Sequence, residues 1–73
     1  MQMDWNEISQ DWGRFKVSAK RRWDKISEQQ FTAIAGRRPL LASRIRDAYG
    51  ITREDAEGQV MDWQMSLASR AGA

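Results

Sequence analysis

Residues 4–27, DWNEISQDWGRFKVSAKRRWDKIS, place their large apolar side chains at the period of an α-helix. At about 100° per residue, six apolar residues fall within a sector of about 80° on a helical wheel. They are Trp5, Ile8, Trp12, Phe15, Ala19 and Trp23. Arginines and lysines lie between the tryptophans. The indoles therefore belong either to the core of a small protein or to an exposed surface that stacks nucleic-acid bases or enters lipid headgroups.

The same helical period recurs through the rest of the chain. A second long stripe comprises Ala56, Val60, Trp63 and Leu67, and shorter ones comprise Phe31 with Ile34, and Leu41 with Ile45, Ala48 and Tyr49. No segment alternates apolar and polar residues for long enough to indicate a strand. The sequence therefore predicts an all-α protein with four helices, near residues 4–24, 28–35, 39–49 and 53–68.

Capping motifs predict where three of these helices begin. Asp4, Ser27 and Thr52 each stand between an apolar residue and a helical segment with an acceptor side chain at its third position and an apolar residue at its fourth. This is the pattern of a capping box closed by a hydrophobic staple, which satisfies free backbone amides and fixes the direction in which the chain enters the helix.

Glycine and proline predict the helix ends and the connections. Gly36 and Gly50 suit the left-handed conformation that ends a helix, and Pro39 suits the first turn of the third helix. Gly13 is unfavourable inside a helix and would mark a bend or a close helix approach. Because the connections are short, we expect two αα-hairpins.

The expected core is built from large aromatic side chains. The 73 residues include no cysteine and no histidine, which excludes a disulfide and a zinc site of nitrogen and sulfur ligands. Residues 1–73 form one expected domain, with a core over about 4–68 and a fraying tail at 69–73. We favour the core interpretation of the indoles because Arg14 and Arg21 point away from their stripe. The predicted core residues are Trp5, Trp12, Phe15, Trp23, Phe31, Ile45, Tyr49, Val60 and Trp63.

Basic residues concentrate in the middle of the chain. Residues 14–46 contain ten bases and two acids, residues 1–13 three acids and no base, and residues 47–73 five acids and two bases. The central block indicates either a surface for nucleic acid or another polyanion, or charge that the acidic ends neutralise within the fold. We favour neutralisation, because Arg44 and Arg46 lie on opposite edges of the third predicted helix. The candidate polyanion-binding residues are Lys16, Lys20, Arg37, Arg38, Arg44 and Arg46.

Two residue types that are common in catalytic sites, histidine and cysteine, are missing. Without histidine or cysteine there is no Ser-His-Asp or Cys-His arrangement, and the glycines do not follow the spacing of nucleotide-binding loops. Asp4, Glu7 and Asp11 share a helical face, but their expected roles at helix ends and on the surface account for them without a cation. We expect no enzymatic activity, catalytic residue, metal or cofactor.

Met61, Met65 and Ala68 form a second apolar patch, roughly opposite the core stripe of the last predicted helix. Either the second predicted helix, residues 28–35, covers this patch, or the patch is a modest contact surface. We favour the first. The sequence has no signal-like segment near residue 1 and no apolar run approaching about 18 residues, so we expect a cytoplasmic location. We also expect a monomer. Its partners are not indicated.

An ordered set of short motifs resembles the CsbD-like family of small bacterial proteins associated with general stress responses. The set is Trp12-Gly13-Arg14-Phe15-Lys16, Trp23-x-Lys25-Ile26-Ser27, Gly36-Arg37-Arg38, Leu41, Ile45, Tyr49-Gly50 and Ala56-x3-Val60-x-Asp62-Trp63. The resemblance covers about residues 4–63 and is closest to tryptophan-rich members. It implies two orthogonally packed helical hairpins in a SAM-like arrangement, with no established catalytic residue to carry over. We therefore expect a non-catalytic stress-associated protein, or alternatively a small polyanion-binding module.

Overall fold

The computed structural model describes the backbone of residues 4–71 and the side chains of residues 4–67. It contains five helices: α1 (Trp5–Gln10), α2 (Trp12–Arg22), α3 (Glu28–Ile34), α4 (Arg38–Tyr49) and α5 (Arg53–Ala71). The described backbone contains no strand, which confirms the all-α prediction. Its radius of gyration, 11.5 Å, is close to the ~11 Å of a compact domain of this length.

The first predicted helix is two helices, so the prediction of four helices is wrong by one. Asp11 has φ −118° and ψ 38°, outside the helical region. It is both the C-cap residue of α1 and the N-cap residue of α2. Its carbonyl accepts the amides of Arg14 and Phe15, at 3.0 and 3.2 Å. Aspartate and glycine both disfavour helix interiors, and Gly13 follows closely. A Cβ on Gly13 would meet no atom within 4 Å, so no other helix lies close to this glycine. Of the two expected roles for Gly13, the structure therefore shows the bend and not the close approach.

The predicted helix starts are present. The Ser27 hydroxyl accepts the Gln30 amide and the Gln30 side chain accepts the Ser27 amide, both at 3.2 Å, which completes a capping box. The Thr52 hydroxyl accepts the Asp55 amide at 3.1 Å. The Asp4 carboxylate accepts the amide two residues later at 3.5 Å, a longer and weaker contact. The staple residue expected before Asp4 lies outside the described residues.

The turn between α3 and α4 brings α1 into close contact. Gly36 has φ +77°, and a Cβ at this position would lie 2.9 Å from the Cα of Ser9 and 3.0 Å from its carbonyl oxygen. The indole N–H of Trp5 donates to the Gly36 carbonyl at 2.9 Å. Gly36 is therefore required both by its left-handed backbone and by the closeness of α1. Ala35 is also left-handed, with φ +53°, which the sequence did not predict.

The ends of α4 and α5 differ in how closely they match prediction. Gly50, with φ +63°, ends α4 as expected. Helix α5 continues to Ala71, three residues beyond the predicted end. The last two residues of the expected tail, 72 and 73, lie outside the described residues.

Trp63 is the centre of the core. Its ring makes edge-to-face contacts with the rings of Trp5, Trp12 and Trp23, at centroid distances of 6.1, 6.5 and 5.6 Å. This geometry matches the preferred arrangement of aromatic pairs. Helix α5 is thereby packed against the N-terminal helices. Of the nine predicted core residues, Trp12, Trp23, Phe31, Ile45, Val60 and Trp63 are buried, and Trp5, Phe15 and Tyr49 are partly buried against them.

The second apolar patch is not covered by α3, so that prediction is wrong. Met61 is 41% exposed and Met65 is 50% exposed. They lie about 200° around α5 from Trp63, on the side away from the core. The side chain of Ala68 lies outside the described residues. The pairing of the helices into two orthogonal hairpins stays a prediction.

Candidate functional site

The indole N–H groups are all bonded inside the protein. Their acceptors are the carbonyl of Gly36 for Trp5 (2.9 Å), the carbonyl of Phe31 for Trp12 (2.8 Å), the side-chain oxygen of Gln59 for Trp23 (2.9 Å) and the hydroxyl of Ser18 for Trp63 (3.2 Å). Because the rings are packed together and their polar atoms are paired, they do not form an exposed aromatic platform. The remaining candidates for a functional site are the basic residues and the concave surfaces that they line.

The first two candidate basic residues, Lys16 and Lys20, are half-buried on α2. The Lys16 ammonium donates to the hydroxyl of Thr32 at 3.3 Å. The Lys20 ammonium donates to the carbonyls of Asp24 and Ile26, at 3.1 and 2.9 Å, just beyond the end of α2. A cation at a helix C-terminus is also favoured by the helix dipole. Lys20 thus stabilises the α2–α3 connection, although an ammonium has three donors and one remains.

Arg37 and Arg38 lie at the start of α4, beside an open concavity of about 410 Å³. The other lining residues are Trp5, Asn6, Ser9, Gly36, Pro39 and Leu40. Arg37 is exposed and Arg38 half-buried, and neither forms an ion pair with any acid in the described part of the chain. These two guanidinium groups are therefore available to an anion.

Arg44 and Arg46 are both exposed on α4. Arg46 pairs with the neighbouring Asp47 at 3.3 Å. Residues two positions apart on a helix point about 200° apart, so these two arginines face different directions. The structure brings Lys16 together with Lys20 and Arg37 together with Arg38, but the two pairs line different concavities.

Direct ion pairing of the central basic block is limited. Over residues 4–67, Arg14 pairs with Asp11 at 3.8 Å and Arg46 with Asp47 at 3.3 Å, so two bases of the block contact acids of the flanking segments. Both pairs are exposed, and such pairs contribute about 0–1 kcal/mol each. Much of the basic block therefore faces solvent without a direct acidic partner.

A cleft between α2 and α3 includes residues that the sequence did not single out. It has a volume of about 310 Å³ and is lined by Lys16, Val17, Lys20, Arg21, Glu28 and Phe31. Val17 is 56% exposed. The signal for it was present in the sequence, since Val17 is an apolar residue that falls well outside the apolar stripe of its helix. Arg21 follows one turn later on the same side of α2.

The described residues contain no cluster of acids suited to a metal ion. Asp4 caps α1 and Asp11 pairs with Arg14, so these carboxylates have local roles. Across the residues with described structure, no helix combines the length and the apolar character needed to cross a bilayer.

Comparison with known proteins identifies relatives along almost the whole chain. UPF0337 protein ECA0631 of Pectobacterium atrosepticum is 37% identical over 62 residues, which cover 85% of this chain and 90% of the relative. UPF0337 protein YjbJ of Escherichia coli strain K12 is 34% identical over 62 residues, with the same coverage of each chain. UPF0337 protein RPA4217 of Rhodopseudomonas palustris is 32% identical over 65 residues, covering 89% of this chain and 98% of the relative.

No family model matches the sequence, and no solved structure shows a significant match. The family is instead shown by full-length similarity, because several relatives exceed 30% identity over nearly their entire length. On this basis the chain belongs to the UPF0337, or CsbD-like, family.

Proposed function

We propose that the protein is a non-catalytic helical protein associated with the bacterial stress response, acting in the cytoplasm as a monomer. The family resemblance supports the stress association, and the UPF0337 relatives carry no enzyme names. The proposal assigns no substrate or reaction.

The observation that carries the non-catalytic part is the use of the indoles. All four indole N–H groups bond to atoms of the protein itself, and Trp63 contacts the other three rings. The most distinctive residues of the sequence thus stabilise the fold, and the chain has no histidine or cysteine to provide a common catalytic base or nucleophile.

The stress association is tested in the native host. Protein abundance would be measured by immunoblot after salt, ethanol and stationary-phase treatment, and survival would be compared between wild-type and deletion strains. We expect abundance to rise several-fold under at least one treatment, and survival to fall in the deletion strain and recover on complementation. Unchanged abundance and unchanged survival under every treatment would overturn the proposal.

A pull-down from stressed and unstressed cells, with and without nuclease, would show whether the protein binds a partner and whether that partner is a nucleic acid. A partner that is recovered only under stress and withstands nuclease would support a protein-directed role. Recovery that disappears with nuclease would favour the polyanion alternative.

The monomeric state is tested by sedimentation. The exposed Met61 and Met65 form the obvious apolar surface for self-association on α5. We nevertheless expect a species of 8.5 kDa, because two exposed methionines supply far less than the ~800 Å² per partner of a stable interface. A concentration-independent dimer would contradict the monomer.

A second candidate function is polyanion binding through the six basic residues named above. It is favoured by the absence of acidic partners for Arg37 and Arg38 within the described chain. If these residues and Arg44 each neutralise one phosphate, replacing all three would reduce the salt slope of duplex binding by about three units. The matched control is Arg53→Gln, which removes an arginine at the start of α5, outside the candidate set.

A further inference from the structure

The cleft between α2 and α3 has the size and rigidity of a small-molecule site. Its volume, about 310 Å³, lies at the lower end of the roughly 300–1,000 Å³ usual for ligand pockets. The two helices that form it are held together without a ligand, because the Trp12 indole donates to the Phe31 carbonyl at 2.8 Å and the two rings pack at 6.4 Å. The cleft is therefore preformed.

Apolar surface lines part of this cleft. Val17 is 56% exposed and supplies exposed apolar surface, whereas Phe31 also belongs to the lining but is fully buried. A single exposed valine is common on protein surfaces. Here, however, it borders a concave surface, so an alkyl chain placed against Val17 would remove its own apolar area and that of the valine from water.

The charges around the cleft favour an anion. Three of the lining residues are basic, Lys16, Lys20 and Arg21, and one is acidic, Glu28. The Lys20 ammonium is held in place by two backbone carbonyls and keeps one free donor. Arg21 is exposed and forms no ion pair within the described residues. A ligand that complements both the charge and the apolar lining has an anionic head and a hydrocarbon tail.

We propose that the α2–α3 cleft binds a single-chain anionic amphiphile of the medium-chain carboxylate class, with its alkyl chain against Val17 and its carboxylate beside Lys20 and Arg21. The cleft volume of about 310 Å³, at the lower end of ligand pockets, suits one short chain better than a two-chain lipid. The occupant is therefore the free, monomeric amphiphile and not a membrane surface.

Binding is tested by titrating the isotope-labelled protein with sodium decanoate and following backbone amide shifts by NMR. We expect a saturable response confined to residues 16–32. The dissociation constant should be on the order of 100 µM, because a ligand with few non-hydrogen atoms gains little binding free energy. Decyltrimethylammonium, which has the same chain and the opposite charge, should bind at least about tenfold more weakly. Anionic phosphatidylglycerol vesicles should cause no comparable response.

Two pairs of variants locate the site. Val17→Glu should weaken decanoate binding about tenfold or more, because it puts a charged carboxylate against the alkyl chain and adds a negative charge to a cleft that binds an anion. Leu40→Glu makes the same change at an exposed apolar residue outside the cleft and should have no effect. Arg21→Gln should weaken binding, and Arg44→Gln should not. Amide spectra of the free variants would establish that each is folded.

The proposal is overturned by no response up to about 5 mM decanoate, well above the expected dissociation constant. It is likewise overturned if the largest amide shifts lie outside residues 16–32, or if decanoate and decyltrimethylammonium bind equally tightly. A response to the vesicles alone would also overturn it. Equal effects of Val17→Glu and Leu40→Glu would also overturn it. None of these outcomes bears on the stress association, which is independent of the cleft.

Discussion

Replacing Trp63 with alanine should nearly unfold the protein. The side chain is 4% exposed, contacts the rings of Trp5, Trp12 and Trp23, and donates its N–H to Ser18. No other aromatic ring contacts three tryptophan rings in the described structure. Its removal leaves a large cavity at the point where α5 meets the N-terminal helices, and the surrounding rings cannot fill it without losing their own contacts.

The magnitude follows from three contributions. Truncating a buried tryptophan to alanine costs about 3–5 kcal/mol through lost transfer energy and the cavity left behind. Each edge-to-face pair adds roughly 0.5–1.5 kcal/mol beyond the buried area, so three lost pairs place Trp63→Ala at or above the top of that range. A chain of this length has a total unfolding free energy of about 4–11 kcal/mol at the usual values per residue. The variant should retain little of it.

Urea unfolding followed by far-ultraviolet circular dichroism measures the loss. Met65→Ala is the matched control, since it truncates a half-exposed side chain on the same helix and should change the free energy by less than about 0.5 kcal/mol. Ser18→Ala removes only the hydrogen-bond acceptor of Trp63 and should cost about 1–3 kcal/mol. If Trp63→Ala leaves the urea midpoint unchanged, the indole is not part of the core and the packing described above is wrong.

Three further predictions concern the fold and the charged surface. Far-ultraviolet circular dichroism should show a mainly helical chain that melts cooperatively, and strand content above about a fifth would contradict the fold class. Gly36→Ala should destabilise the protein by more than about 1 kcal/mol, and by more than Gly50→Ala, because both have positive φ but only Gly36 lies against another helix. Chemical denaturation of both variants checks this, and equal losses would show that the contact with α1 is unimportant. Duplex DNA should bind no more tightly than about 10⁻⁴–10⁻⁶ M at physiological salt. A submicromolar, salt-resistant complex that is lost when Arg37, Arg38 and Arg44 are replaced together would instead favour the polyanion module.

The elements that follow from local chemistry were predictable from the sequence. The apolar stripe around Trp12 has the helical period, Ser27 has the capping pattern, and Gly50 ends a helix by its own backbone freedom. The division at Asp11 was harder, because the apolar stripe continues through it while the backbone does not. A periodic pattern shows which residues share a face, but it does not show that the helix axis is continuous.

Features that depend on two distant segments could not be read from the sequence. The need for glycine at Gly36 comes partly from Ser9, which is far away in the chain. The α2–α3 cleft likewise depends on how α3 packs against α2. The only sign of it in the sequence was Val17, an apolar residue outside the apolar stripe of its helix. Met61 and Met65 were expected to be covered because their patch is apolar, but apolar side chains are also common on surfaces.

The position of Trp63 has a consequence for synthesis on the ribosome. The indoles of Trp5, Trp12 and Trp23 are made first, yet the ring they surround belongs to the last helix and comes 40 to 58 residues later in the chain. Until α5 leaves the exit tunnel, the nascent chain carries three aromatic side chains without their common partner. The native core therefore closes only after α5 has emerged, and the shorter nascent chain is the form in which this protein most needs protection from aggregation.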